Sequence, residues 1–219
     1  MANFLLDLAY YLIVLPVLLG LIRWRALSRI QTGVAYLVFF WFAINLASLI
    51  GARCFGTNRL IFQLNLPGEF FLLGMIFWHT FRQRSISRTI PWIIAGFTLL
   101  WILNLLIGAG VNEIPVMVRA VESFLVITMS LLYFYYLLRD MHAPNLFASP
   151  MFWFASGSLI YFAAGLIPTL YVNEIQALKD AVSARSIWAI HSALLIPLYI
   201  FYSISLLCKE KTSTSSKAS

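Results

Sequence analysis

The feature that most constrains this chain is a succession of long apolar runs separated by short joints that carry Arg, Pro or Asn. A helix that spans a bilayer needs about 20 predominantly apolar residues, because its backbone groups must be satisfied inside the helix where water is absent. Seven runs meet this length: Phe4–Ile22, Gly33–Ala52, Leu60–Phe81, Ile90–Val111, Val116–Leu138, Met151–Val172 and Ile187–Cys208.

The seven runs use nearly all of the 219 residues, of which 62% are hydrophobic and 11% charged. A soluble domain carries about 25% charged residues. We therefore predict an all-α polytopic membrane protein with one seven-helix transmembrane domain over residues 1–208, embedded in the lipid bilayer. The Ser/Thr/Lys-rich residues 209–219 are predicted to be a disordered tail. No room remains for a nucleic-acid-binding or catalytic domain, and no nucleic-acid partner is expected.

The distribution of the 15 Lys and Arg residues predicts the orientation. Ten lie on the side of the C-terminus and five on the other side, and positive loops stay in the cytoplasm. The N-terminus is thus predicted outside and the C-terminus inside. The first group is Arg23, Arg25, Arg29, Arg82, Arg84, Arg88, Arg139, Lys209, Lys211 and Lys217, and the second is Arg53, Arg59, Arg119, Lys179 and Arg185.

Polar side chains inside the predicted helices share the outer half of the membrane. Charged groups at that depth are costly, so each is a candidate functional residue. They predict an outward-facing ligand pocket with Arg119 as the counter-charge, lined by Asp7, Asn45, Glu69, Asn104, Glu122 and His191. The alternative is a structural network, in which Glu122 bonds Arg119 one turn earlier and the asparagines join neighbouring helices. Both interpretations stay open at this point.

The protonation of the two glutamates follows from their surroundings. Two carboxylates in an apolar pocket should not both stay charged. Glu122 is expected to be the ionised partner of Arg119, and Glu69 to be neutral or to share a proton with His191. On this hypothesis Glu69→Gln folds nearly normally but abolishes a response, whereas Glu122→Gln costs stability.

A metal centre has weaker support. Glu69, Glu122 and His191 are suitable ligand types, but no two of them have the spacing that places a pair of ligands on one helix face. We predict no metal and no other cofactor. Cys54 and Cys208 fall on opposite sides of the membrane and are predicted to be unpaired.

Two segments carry a resemblance to a known group of proteins. Pro150–Phe162 (PMFWFASGSLIYF) and Ile187–Ser192 (IWAIHS) resemble an uncharacterised family of bacterial seven-helix membrane proteins, found chiefly in Bacteroidota and often beside histidine-kinase genes. The resemblance implies a sensory role in the bacterial cytoplasmic membrane. It also implies a histidine kinase or another cytoplasmic output protein as the partner.

Three functions follow from these observations. The first is a receptor-like sensor in which a small molecule or a proton enters the outer pocket and the change is read by a cytoplasmic partner. The second is a small-solute or ion transporter, which would need polar groups through the inner half as well. The third is an intramembrane metal-dependent hydrolase built on Glu69, Glu122 and His191. An enzyme is the less favoured reading.

Overall fold

The computed structural model describes residues 8–107, 115–140, 146–177 and 181–209. The regular structure of these residues is entirely helical, which confirms the predicted all-α class. Three short 3₁₀ segments, Trp24–Ala26, Ser85–Arg88 and Leu146–Ala148, lie in the joints. The α-helices are α1 (Val14–Ile22), α2 (Arg29–Phe55), α3 (Arg59–Thr80), α4 (Ile90–Ile107), α5 (Val116–Asp140), α6 (Pro150–Ala177) and α7 (Ala181–Leu207).

Six of the described helices, α2 to α7, contain stretches long and apolar enough to cross a membrane. α1 belongs to a shorter apolar helix, Leu8–Ile22. The chain is therefore a helical protein of the integral membrane type. The predicted first span, Phe4–Ile22, begins before the described residues. Of the predicted tail, only Lys209 is described.

Local chemistry sets both ends of α2. At its start, the Ser28 hydroxyl accepts a hydrogen bond from the Gln31 N–H, and the Gln31 side chain accepts one from the Ser28 N–H. This reciprocal capping satisfies N–H groups that a helix start leaves free. At its end, Gly56 adopts a left-handed backbone with φ of 68°, a conformation that favours glycine. α2 is thus longer at both ends than the predicted run Gly33–Ala52.

The helices pack as an inner ring with two outer members. α2, α3, α5, α6 and α7 each contact the next, and α7 closes the ring against α2. α1 lies against α2 and α7, while α4 lies against α3 and α5. The contact between α2 and α3 is close at Gly68, where a Cβ would collide with the Phe40 ring. Small residues allow such approach between membrane helices, and Gly68 immediately precedes Glu69.

One end of the bundle collects basic residues, and we call it the basic end. It lies where α3, α5 and α7 finish and where α2, α4 and α6 begin. Its basic residues are Arg23, Arg25, Arg29, Arg82, Arg84, Arg88, Arg139 and Lys209.

The centre of the ring holds an aromatic layer made of Trp41, Tyr202, Phe154 and Phe77. Trp41 stacks on Tyr202 with ring centroids 5.7 Å apart, and Phe154 stacks on Tyr202 at 5.2 Å. Phe77 lies 5.6 Å from Phe154. Offset and edge contacts of this kind add to the burial of the rings themselves. The layer joins α2, α7, α6 and α3 in one core.

Candidate functional site

The charged residues of α3 and α5 meet around one guanidinium group. Arg119 Nη1 donates to Glu69 Oε2 at 3.0 Å and to Glu122 Oε2 at 2.9 Å. Arg119 and Glu122 lie one turn apart on the same face of α5, while Glu69 reaches them from α3. We call these three residues the charged triad. The predicted ion pair between Arg119 and Glu122 is present, and Arg119 is also shared with Glu69.

Burial makes this triad costly to disturb. The Glu122 side chain is fully buried and that of Glu69 is 3% exposed, whereas 27% of the Arg119 side chain is exposed. A buried charge that loses its partner is strongly destabilising. One edge of the triad, on the side of Arg119, therefore reaches the protein surface while its carboxylates stay inside.

The hydrogen bonds around the triad are incomplete. Asn65 Nδ2 donates to Glu69 Oε2 at 2.9 Å, and the Ser123 hydroxyl donates to the Arg119 carbonyl at 2.9 Å. Two buried acceptors, Glu122 Oε1 and Asn65 Oδ1, have no hydrogen-bond partner among the described residues. Buried polar atoms in proteins rarely lack a hydrogen-bond partner. The triad thus retains capacity to accept hydrogen bonds.

Asn65 was missed in the sequence analysis. Its signal was the spacing of four residues to Glu69, which places an amide and a carboxylate on one face of a helix. The predicted pocket included Asn45 and Asn104 but not Asn65.

Aromatic and imidazole groups from α6 and α7 lie near the triad. Tyr161 lies within electrostatic range of Glu69, Arg119 and Glu122, and Tyr199 lies within range of Glu69. His191 lies within range of Arg119, and its ring centroid is 5.7 Å from that of Tyr161. The contacts of the triad itself join α3 and α5, and α6 and α7 place these aromatic and imidazole groups near it. A proton shared between Glu69 and His191 stays a prediction.

The remaining predicted pocket residues are not joined to the triad by the described contacts. Asn45 Nδ2 donates to the Trp41 carbonyl at 2.9 Å, which is a bond within α2. Asn104 is half-buried on α4, one of the outer helices. Asp7 lies outside the described residues.

The donor set of the triad suits hydrogen bonding better than metal binding. Among the described residues, no three His, Cys, Asp or Glu side chains are placed to hold one ion. A guanidinium occupies the position between Glu69 and Glu122 in which a cation would bind both carboxylates. This arrangement does not support Glu69, Glu122 and His191 as the ligands of a metal ion.

A second polar cluster lies at the basic end, and the sequence analysis missed it. Gln31 is buried and its Nε2 donates to the carbonyls of Ser205 at 2.9 Å, Leu206 at 3.2 Å and Cys208 at 2.8 Å. Arg23 Nη1 also donates to the Leu206 carbonyl, at 2.5 Å. A helix end leaves carbonyls without intrahelical partners, and these side chains satisfy them. We call Arg23 and Gln31 with their carbonyl partners the α7 cap.

No protein-family model, curated protein or solved structure matches the chain. The resemblance to bacterial sensory membrane proteins therefore stays a prediction. Function has to be inferred from the geometry of the triad and from its place in the bundle.

Proposed function

We propose that this chain is a receptor-like sensory protein of the bacterial cytoplasmic membrane whose stimulus binds at the charged triad. The stimulus is a proton or a small molecule that donates a hydrogen bond, and a separate cytoplasmic protein, such as a histidine kinase, reads the result. The observation that carries the proposal is Glu122, whose side chain is fully buried and whose Oε1 has no partner among the described residues.

The charge of the triad explains why it would accept such a stimulus. With both carboxylates ionised, two negative groups share one guanidinium and leave a net charge of −1 (−2 + 1). A net charge in a low-dielectric interior is costly. A proton or a hydrogen-bond donor at Glu122 Oε1 lowers this cost. Arg119 is therefore shared differently between Glu69 and Glu122 when the site is occupied and when it is empty.

The geometry also provides a route by which occupancy could change the cytoplasmic side. The triad joins the middle of α3 to the beginning of α5, and an ion pair between Arg84 and Asp140 joins the two helices beyond the end of α3 and at the end of α5. A ligand shifts a conformational equilibrium only if it binds two packings with different affinity. Since the triad links these two helices, a change in Arg119 sharing alters how they pack against each other.

The proposal includes seven spans, with the N-terminus outside. It is supported by the gathering of the described basic residues at one end, which the positive-inside bias places in the cytoplasm. The described helix Leu8–Ile22 is short for a span, but apolar residues Phe4–Leu6 precede it in the sequence. On this topology Arg119 and Glu122 lie in the outer half of the membrane, and Glu69 lies at about the middle of its span.

The other two functions have less support. A transporter needs a polar path to the basic end, and the aromatic layer fills the ring between the triad and that end. A metal-dependent hydrolase would need to displace Arg119 from its two carboxylates. A sensor needs neither.

The test measures whether protonation of the triad moves α3 relative to α5. Spin labels on cysteines at Gln83 and Leu138, both exposed at the basic end, report the separation in a Cys54→Ser, Cys208→Ser background. A proton at Glu122 mimics either kind of stimulus because it removes the excess negative charge. We expect the distance distribution to change between mildly alkaline and mildly acidic pH in the reconstituted protein, and not in Glu122→Gln.

Glu210→Gln is the matched control, since it removes a carboxylate of the tail. It should behave like the parent protein. A pH-independent distance in the parent protein, or an unchanged response in Glu122→Gln, would contradict the proposal.

A further inference from the structure

A cavity at the basic end lies apart from the charged triad. Its volume is about 270 Å³, and it opens where α3 and α5 finish. Phe81 and Leu137 provide apolar walls, and Arg84, Tyr136 and Asp140 provide polar groups. Pockets for drug-sized ligands run from about 300 to 1,000 Å³, so this cavity suits a smaller group.

The polar groups of the cavity carry both signs of charge. Arg84 forms an ion pair with Asp140, and the Arg84 guanidinium lies over the Tyr136 ring, 4.9 Å from its centroid. The Arg84 and Asp140 side chains are 41% and 32% exposed, so both remain accessible. A guanidinium has five N–H donors and a carboxylate has two oxygens, and their mutual contact uses one nitrogen and one oxygen.

The location restricts the class of ligand. The basic end is where the membrane-spanning helices leave the apolar layer, and sites for lipid headgroups lie between helices at this depth. An inorganic anion alone would be repelled by Asp140, and a simple cation by Arg84. A group that carries an anion and a cation a few bonds apart complements both.

We propose that this cavity binds the headgroup of a zwitterionic phospholipid with a primary ammonium group. Its phosphate binds Arg84, and its ammonium donates to Asp140. A trimethylammonium headgroup fits less well because it has no N–H donors for a carboxylate. It also could not bind over the face of the Tyr136 ring that Arg84 already covers. Leu137, which is partly exposed, contacts the beginning of the lipid chains.

The test is native mass spectrometry of the full-length protein after incubation with equal amounts of phosphatidylethanolamine, phosphatidylcholine and phosphatidylglycerol. We expect retention of phosphatidylethanolamine to exceed that of the other two by about tenfold, the factor that one charge-assisted hydrogen bond supplies. Asp140→Asn should remove the preference over phosphatidylcholine, and Arg84→Gln should reduce retention of all three lipids. Arg88→Gln, which removes an exposed charge at the same end, should change nothing.

A displacement experiment on the wild-type protein tests the proposal even if a variant unfolds. Soluble phosphoethanolamine should displace the retained lipid, and phosphocholine should not. Equal retention of the three lipids, equal displacement by the two soluble headgroups, or a loss in Arg88→Gln as large as in Arg84→Gln would overturn the proposal.

Discussion

The charged triad and the α7 cap are both buried polar clusters, but they use their hydrogen bonds differently. In the α7 cap, a neutral amide donates to carbonyls that any helix end leaves free. In the triad, charged groups from two helices bind each other, and Glu122 Oε1 stays without a partner among the described residues. The cap is suited to hold α7 in place, whereas the triad can change when its charge changes.

The aromatic layer separates these two clusters. Phe77 is eight residues after Glu69, or about 12 Å further along α3. Within the layer, the Tyr202 hydroxyl and the Ser158 hydroxyl are hydrogen-bonded at 2.8 Å, so this buried phenol is satisfied without reaching either cluster. The layer is thus a closely packed aromatic partition, and the clusters can be perturbed one at a time.

The largest effect is expected from removing the shared cation of the triad. Arg119→Ala leaves two buried carboxylates without their guanidinium, and breaking such a pair costs about 3–5 kcal/mol. Thermal unfolding in detergent measures the loss. The triple variant Arg119→Gln, Glu69→Gln, Glu122→Gln carries no charge in the triad, and we expect it to regain most of the stability. If Arg119→Ala unfolds like the wild type, the triad does not stabilise the bundle.

The two glutamates should compensate for each other. Glu69→Gln or Glu122→Gln alone leaves Arg119 one carboxylate. Each variant removes the excess negative charge but also loses one charge-assisted hydrogen bond to Arg119, and we expect the net cost of each to be roughly 1–2 kcal/mol. The double variant strands Arg119 and should cost more than the sum of the two, because the three groups form one network. This differs from the expectation that Glu69→Gln folds nearly normally while Glu122→Gln costs stability. Additive losses in the unfolding free energy would show that Arg119 is not shared.

The helices of this fold could be predicted because the lengths of apolar runs depend on the membrane rather than on tertiary contacts. The predicted boundaries were less accurate where side chains cap the backbone. α2 begins four residues before the predicted Gly33 because Ser28 and Gln31 cap it. α6 continues to Ala177, beyond the predicted Val172.

The site could be predicted only where the contact lies within one helix. The spacing of Arg119 and Glu122 on α5 indicated their ion pair, because residues one turn apart share a face. The bond from Arg119 to Glu69 depends on how α3 and α5 are rotated about their axes. These helices are apolar on most sides, so their sequences do not specify that rotation. The acceptors of Gln31 are backbone carbonyls, which leave no pattern in a sequence.

An effect without pH dependence is expected at the α7 cap. Gln31→Met keeps the length of the side chain but removes the donor to three carbonyls and the acceptor of the Ser28 N–H. Buried groups that lose their partners cost about 1–3 kcal/mol in total. The Gln31 amide and its carbonyl partners do not titrate, so the loss in unfolding free energy should be equal at acidic and neutral pH. Gln83→Met, at an exposed position of the same end, is the control and should be neutral.

The smallest perturbation tests which end of the bundle faces the cytoplasm. Cys54 is exposed near the end of α2, and Cys208 is half-buried at the basic end with its Sγ 3.7 Å from the Phe147 carbonyl. In intact cells an impermeant maleimide should label Cys54 and leave Cys208 unlabelled, and in detergent both should react. Labelling of Cys208 but not Cys54 in intact cells would reverse the orientation.

The pH dependence of this reaction checks the environment of Cys208 in the solubilised protein. Burial raises the pKa of the Cys208 thiol, although the nearby Arg23 opposes the shift. The thiolate is the reactive form, so a raised pKa means slow labelling at neutral pH and a rate that keeps rising into the alkaline range. Arg23→Gln removes the opposing charge and should slow the reaction further at neutral pH. A faster reaction in Arg23→Gln would contradict this expectation. It would show that loss of the Arg23 bond to the Leu206 carbonyl opens this end of the α7 cap, and that the cap is less rigid than its hydrogen bonds indicate.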